Sequence, residues 1–375
     1  MSARLEQRRR TWRSALVTGV LISSGLGWAV AGSPGPGKAA SATTLGDAQA
    51  VVRRIQDAAQ RRSYSGTFVV NAGGVISSSR VTHFADGRQQ IERIEALDGQ
   101  MRRLYRHNDT VHVFWPKTRE ASIEQRELLP GFPVANIGDA PGALDAYELQ
   151  STTADRAAGH EAQVVTLRPR DTYRYAQRLW LERHSGLLLR ADTLGARGEV
   201  IESSSFSELQ LDAPVQPQAL LQEMRRLDGY RIQRSSLPRC ELEREGWLLR
   251  ALPPSFTLVR CVLRPLRPGE RAAARSASAS ASAAAPAQAG ASPAGALASD
   301  ASTGLLQATF SDGLTLVSIF VEPFDASVHH RDAAAAWGAT QALSRRLNDW
   351  WITAVGDVPL VTLQQFSSGM ERRRP

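Results

Sequence analysis

The sequence predicts an α+β fold built mainly from antiparallel strands, and three observations carry that expectation. Runs that alternate apolar and polar residues recur at regular spacing from Tyr64 onward, and a period of two marks a half-buried strand. The breaks between the runs include Gly73-Gly74, Asp86-Gly87, Asp98-Gly99 and Asn108-Asp109, pairs that accept the backbone of tight hairpins. Helical periodicity is confined to a few short segments.

The first of those segments starts at Leu45. Leu45, Ala48, Val52, Ile55 and Ala59 fall on one face of a helix, with Arg53, Arg54, Asp57 and Arg61 on the other. Strands are then expected at Tyr64 to Asn71, Val75 to Phe84, Arg88 to Leu97, Met101 to His107, Thr110 to Trp115 and Thr118 to Arg126. Tyr147 to Thr153 and Ala162 to Arg168 follow. From Tyr173 to Glu182 the odd positions read Tyr173, Tyr175, Gln177, Leu179 and Leu181, and the even ones Arg174, Ala176, Arg178, Trp180 and Glu182. The odd row is expected to point inward, leaving Arg174, Arg178 and Glu182 wet and Trp180 either at a rim or as the sign of a reversed register. His184-Ser185-Gly186 turns the chain into Leu187 to Asp192, and a second turn at Gly195 to Gly198 leads into Val200 to Leu209. The total is about eleven strands.

A short helix is expected from Pro217 to Leu227, and a second, smaller unit from near Tyr230. That unit has a strand pair around Ser311-Asp312-Gly313, a segment Gly338 to Pro359, and a closing helix from Pro359. Residues 267–303 lack any aromatic or periodic apolar residue; such a segment cannot bury enough surface to offset its chain entropy and reads as a disordered insertion. The expected map is a signal peptide at 1–31, a flexible lead at 32–43, a first domain at 44–211, a linker and helix at 212–229, and a second domain at 230–375.

Export is expected from the first residues. Arg8, Arg9, Arg10 and Arg13 precede an uncharged stretch from Ser14 to Ala31 that ends Ala29-Val30-Ala31, the layout of a secretory signal cleaved near Ala31. Ser23, Ser24 and glycines interrupt the stretch, which weakens it as a membrane span. The chain's formal charge is +8, and about half of it lies in this segment. Beyond it the arginines are interspersed with Glu and Asp, a solvated surface rather than a nucleic-acid footprint; the mild excess suits an anionic membrane surface or lipopolysaccharide.

Catalytic constellations are not found in the sequence. His160-Glu161 begins like a zinc-protease helix, but Val164 stands where the second histidine belongs. His329-His330 lack a third ligand at a suitable spacing. Glu92 and Glu95 fall on opposite faces of one strand. No nucleophile elbow, P-loop or dinucleotide turn is present beyond the signal. The expectation is a protein that is not an enzyme and needs no cofactor or metal. Cys240 and Cys261 are the only cysteines; in an exported chain pairing is favoured over two free thiols, with a loop-entropy gain of about 3 kcal/mol.

Several stretches, in order, carry a resemblance: "YSGTFVV", "SSRVTHFADG" and "ERIEALDGQMRRLYRHND", then "AQVVTLRPRDTYRYAQRLWLERHSGLLL", "LPPSFTLV", "SDGLTLVSIFVEP" and "AVGDVPLVT". The chain resembles the RseB/MucB family, periplasmic negative regulators of the sigma-E envelope-stress response, from about residue 50 to 370 outside the insertion. It departs from the family at Ala176 and Ser255, where glycine is usual, and in the Ala/Ser-rich insertion. The resemblance implies that the large domain is similar to the LolA/LolB lipoprotein carriers, an unclosed half-barrel with helices laid into its concave side. The helix from Leu45 and the segment Leu128 to Leu144 are the expected covers. Tyr173, Tyr175, Leu179, Leu181, Leu187 and Leu189 are the candidate lining of a groove for an acyl chain, the alternative being that helices fill it. The implied role is to bind the periplasmic part of a single-span anti-sigma factor of RseA/MucA type, shield it from regulated proteolysis, and sense a lipid, lipoprotein or lipopolysaccharide signal. The runner-up is a periplasmic lipoprotein or lipid carrier. No nucleic acid is implied, and a homodimer is left open.

Overall fold

The computed structural model describes residues 45–125, 145–235, 237–265 and 304–373. The expected signal peptide and lead, the second cover at 128–144 and the insertion at 267–303 lie outside the described residues.

The chain opens with helix α1 (Leu45–Arg61) and runs through a meander of six strands: β1 (Tyr64–Ala72), β2 (Val75–Ala85), β3 (Gln90–Ala96), β4 (Arg103–His107), β5 (Thr110–Trp115) and β6 (Glu120–Gln125). A second meander holds β7 (Tyr147–Ala157), β8 (His160–Pro169), β9 (Ala176–Glu182), β10 (Leu188–Leu194) and β11 (Val200–Leu211). β11 pairs antiparallel with β1, Tyr64 opposite Leu211, and fuses the two meanders into one sheet. Helix α2 (Pro217–Arg225) follows, and then β12 (Arg231–Ser235), which adds in parallel to β6. The result is a twelve-stranded sheet with β12 at one end and β7 at the other. Residues just after Tyr230, assigned from sequence to the second unit, are thus hydrogen-bonded into the first sheet. A parallel partner far back in the chain leaves no local signal.

The two helices cover different faces. Val52, Ile55 and Ala58 of α1 are buried. Ala58 joins a cluster with Tyr64, Phe68, Val111 and Val113, while Val52 and Ile55 join one with Val165, Leu167, Leu179 and Leu181. Met224 of α2 packs on Tyr105, Phe114 and Ala121 instead. Neighbours in a strand point to opposite faces, so Val113 and Phe114 place α1 and α2 on opposite sides of the sheet.

The second sheet has six strands, in the order β14 (Thr257–Pro265), β15 (Gly304–Ser311), β16 (Leu316–Pro323), β19 (Trp350–Gly356), β18 (Thr340–Leu347), β17 (Ala333–Trp337). Helix α3 (Leu360–Gly369) lies on it through Phe366, whose ring centroid is 5.1 Å from Phe310 and 5.3 Å from Phe256. A short pair, β13 (Trp247–Leu249) and β20 (Met370–Arg372), completes the unit. The sulfurs of Cys240 and Cys261 are bonded, with Cα atoms 5.1 Å apart, tying the lead-in segment to β14. Ser255, in the connection before β14, has φ +64°, the left-handed region that glycine occupies without cost. Ala176 opens β9 in register with Leu194 and has no such strain.

Candidate functional site

The wall formed by β7 to β11 has an inner face and an outer face of different character. On the inner face Leu149, Val165, Leu167, Leu179, Leu181 and Leu188 form one buried cluster with Val52 and Ile55 of α1. The turn from Ser311 to Leu316, between β15 and β16, docks beside them and packs Leu314 against the cluster.

That docking is pinned by Arg174, whose side chain is fully buried. Its Nε donates to Asp312 Oδ2 at 2.5 Å, and its two terminal nitrogens donate to the Asp171 carboxylate and the Pro254 carbonyl. The guanidinium also lies 4.7 Å from the Phe256 ring centroid and 5.8 Å from that of Tyr147. Asp312 is itself fully buried, and accepts from the Tyr147 hydroxyl at 3.1 Å and from the Leu314 and Thr315 amides at 2.9 and 2.8 Å. Burial pushes the Tyr147 phenol well up, and the Asp312 carboxylate adds to the rise. Each charge in this cluster has several hydrogen-bonding partners, which a buried pair needs to offset its desolvation.

A second contact between the sheets lies at the β17–β18 turn. The Ala339 amide donates to Glu202 Oε2 of β11 at 3.2 Å, and the Thr340 hydroxyl donates to Asp357 Oδ1 at 2.5 Å. Burial, and then the neighbouring Asp357 charge, push the Glu202 carboxyl up to about 7. The Tyr175 hydroxyl accepts from Gln341 at 3.4 Å, and the Tyr173 carbonyl accepts from Thr362 at 2.7 Å.

The six candidate groove residues are therefore dispersed. Tyr173 and Tyr175 precede β9 and touch helix α3 and β18 of the second unit, respectively. An Asx turn, in which the Tyr173 amide donates to Asp171 Oδ1 at 3.0 Å, interrupts the alternation that was expected to start there. Leu179 and Leu181 do point inward, but into a packed core under α1. Leu187 joins the cluster of Tyr64, Phe68 and Phe206. Leu189 faces the other way, with Ala162, Val164 and Trp180, because the ladder shifts register between Leu188 and Arg190. At this wall the described residues form a closed core, not an open lining.

Two of the three residues expected to be wet are not. Arg174 is buried as described, and Glu182 is 5% exposed. Burial alone would raise the Glu182 carboxyl, yet hydrogen bonds from Ser185 and His184 outweigh it and hold it down at about 2. This carboxylate closes the β9–β10 turn. The Arg174–Asp312 pair had no signal beyond a turn sequence followed by an apolar Leu314.

Arg178, the third, lies on the outer face. There Trp180 donates from Nε1 to Asp155 Oδ2 at 2.9 Å, and Arg190 lies 4.5 Å over its ring. Arg190 grips Asp192 through two bonds of 2.8 Å, and the Ser203 hydroxyl adds a third at 2.7 Å. A hollow of about 530 Å³ opens here, lined by Arg168, Arg178, Val164, Thr166, Trp180 and Leu194 among others.

Two of the histidines serve structure. His329 stacks on Trp351 at 4.8 Å with Nε2 3.3 Å from Glu322, and His160 bonds the Leu209 carbonyl at 3.1 Å. Among the described residues no group of three or more His, Cys, Asp or Glu could hold a metal, and no helix is long and apolar enough to cross a membrane.

The family model of the MucB/RseB N-terminal domain matches residues 47–224, and that of the MucB/RseB C-terminal domain matches residues 241–371. The chain belongs to the MucB/RseB family. Its relatives include the sigma factor AlgU regulatory protein MucB of Pseudomonas aeruginosa, 27% identical over 338 residues that cover 88% of this chain and 92% of that protein. The sigma-E factor regulatory protein RseB of Haemophilus influenzae is 24% identical over 228 residues, 59% of this chain and 69% of that protein. Among solved structures, MucB in complex with MucA(peri) has a TM-score of 0.61 at 23% identity, covering 88% of this chain and all of that one. The Pseudomonas aeruginosa MucA/MucB complex gives 0.62 at 24% identity and 88% coverage of this chain. These structural likenesses establish that both sheets follow the MucB/RseB fold, and the named relatives are regulatory proteins.

Proposed function

We propose that this chain is an exported, non-catalytic regulator that binds the periplasmic part of a single-span anti-sigma factor and shields it from regulated proteolysis. The observation that carries the reading is the match to both MucB/RseB domains, together with a relative named as a sigma-factor regulator that is matched over 92% of its length. The seam around Arg174 and Asp312 supports it, because a carrier would need only the large sheet. A lipid-bearing signal, lipoprotein or lipopolysaccharide, would act by favouring a different state of the protein. On the inner face that state requires α1 to move, since α1 and Leu314 now cover the apolar strands. Isothermal titration of the mature protein with the periplasmic segment of the anti-sigma factor encoded beside it tests the reading. Binding at micromolar Kd or tighter, with the segment then protected from proteolysis, is the expected result. No binding at all rejects it.

A further inference from the structure

The arginines of the β7–β11 wall are partnered with two exceptions. Arg174 has Asp312 and Asp171, Arg190 has Asp192, and Arg183 has Glu161. Arg168 and Arg178 make no ion pair or hydrogen bond among the described residues, although both line the outer hollow. Two carboxylates of this face are already engaged: Asp155 by Trp180 and the Arg156 amide, Asp192 by Arg190 and Ser203. Glu148 lies across the ladder from Arg168 and forms no ion pair with it.

The register places the two cations together. Thr166 of β8 is directly opposite Arg178 of β9, so Arg168, two residues further on, is the diagonal neighbour of Arg178, about 7–8 Å away along the face. Two guanidiniums carried at neighbouring positions of one face can both reach an anion held above that face. The floor beside them is apolar: Val164, Trp180 and Leu194 are each buried at 4–6% exposure. Two ladder irregularities flank the hollow, between Ser151 and Ala154 in β7 and between Thr193 and Leu194 in β10. Bulges of this kind re-aim side chains next to functional sites. The volume lies within the range of ligand sites.

We propose that this hollow binds an extended acidic peptide whose carboxylates are two residues apart, with an apolar side chain after them. In an extended strand, residues i and i+2 point the same way and are about 7 Å apart, which matches the diagonal spacing of Arg168 and Arg178. Guanidinium forks bind carboxylates in two-point fashion, which a point charge cannot do. Residue i+4 of the peptide then lies beyond Arg178, on the side of Val164 and Trp180. The inference rests on the regulator reading only in assigning such a peptide to the anti-sigma partner.

The test uses the mature protein and a fluorescein-labelled peptide containing Glu-Ser-Glu-Ser-Leu, followed by anisotropy. The R168A/R178A variant is expected to bind at least tenfold more weakly at low salt, with a shallower salt dependence. A Gln-Ser-Gln-Ser-Leu peptide is expected to lose as much on the unaltered protein, and R168K/R178K to recover only part of the affinity. An unchanged melting temperature shows that the variants are folded. Equal affinity of the variant and the unaltered protein overturns the proposal. So does a preference for phosphatidylglycerol vesicles over either peptide that depends on both arginines, since the hollow then belongs to a lipid headgroup. The anti-sigma segment is titrated in parallel: if it fails to bind the unaltered protein while the peptide binds as expected, the regulator reading falls and the hollow stands.

Discussion

Two sides of the same wall treat their arginines in opposite ways. On the inner face Arg174 is fully buried and held between Asp171 and Asp312, with the Pro254 carbonyl completing its donors. On the outer face Arg168 and Arg178 have no acidic partner among the described residues and border a hollow. The inner arrangement spends its polar groups on joining two sheets, and a fully satisfied buried network of that kind fixes a single docked geometry. The outer arrangement leaves charge available to something outside the chain. Position in the fold, in a connection facing the second sheet or in a strand facing outward, decides which fate an arginine has, and residue type alone does not.

The largest effect expected from that difference compares two adjacent residues. Leu179→Glu places a charge in the core under α1, and the variant should unfold or fail to accumulate, a loss above about 4 kcal/mol. Arg178→Glu, one residue away on the other face, should stay within about 0.5 kcal/mol of the unaltered protein in urea denaturation. Comparable losses for the two would erase the distinction between the faces.

A second comparison concerns the acid partners. Asp312→Ala removes one of the two carboxylates that hold the buried Arg174 and should cost about 3 kcal/mol. Asp192→Ala frees Arg190, whose side chain is already 40% exposed and can return to water, so a cost of about 1 kcal/mol is expected. Chemical denaturation followed by intrinsic fluorescence reads both.

How much of this was legible in the sequence follows from the range of the forces. Alternation and Gly-Asx turns marked β1 to β11, because both are local. The amphipathic pattern of α1 marked its buried face through Val52 and Ile55. What escaped was non-local. β12 pairs in parallel with a strand more than 100 residues earlier. Arg174 counted as solvent-facing because alternation was extended backward through Tyr173, where an Asx turn had already ended it. The shift at Leu188–Arg190 sent Leu189 to the face opposite Leu181, and a one-residue slip always reverses a side chain. Ser255 was legible as a departure from glycine, but its meaning needed the backbone angle.

The seam also has a pH dependence. Glu202 has its folded pKa raised to about 7 from an ordinary 4.5, so the folded state binds this proton more tightly than the unfolded chain. The stability it contributes is present below about pH 4.5 and is lost as pH rises through about 7. Glu202→Gln keeps the acceptor for the Ala339 amide and removes the charge facing Asp357. It should stabilise the protein near pH 8 by about 1 kcal/mol, discounted for partial access to water, with the gain gone in acid. A pH series of melting temperatures for both proteins checks the sign.

The smallest expected effect lies at the approach to β14. Ser255→Gly relieves the left-handed backbone at φ +64°. The relief of about 1–2 kcal/mol is partly offset by the greater freedom of glycine in the unfolded chain, leaving a gain of about 0.5–1 kcal/mol. A rise in urea midpoint at constant slope is the expected readout.

The contrast between the faces is tested most directly by thiol labelling of two single-cysteine variants, R178C and L179C, each with the native Cys240–Cys261 bond intact. A water-soluble maleimide should modify the R178C thiol at nearly the rate of an unfolded control. The L179C thiol should react at least a hundredfold more slowly until denaturant opens the core, because α1 and Leu314 seal that face. Labelling of L179C as fast as R178C under native conditions would show an open groove on the inner face and contradict the account.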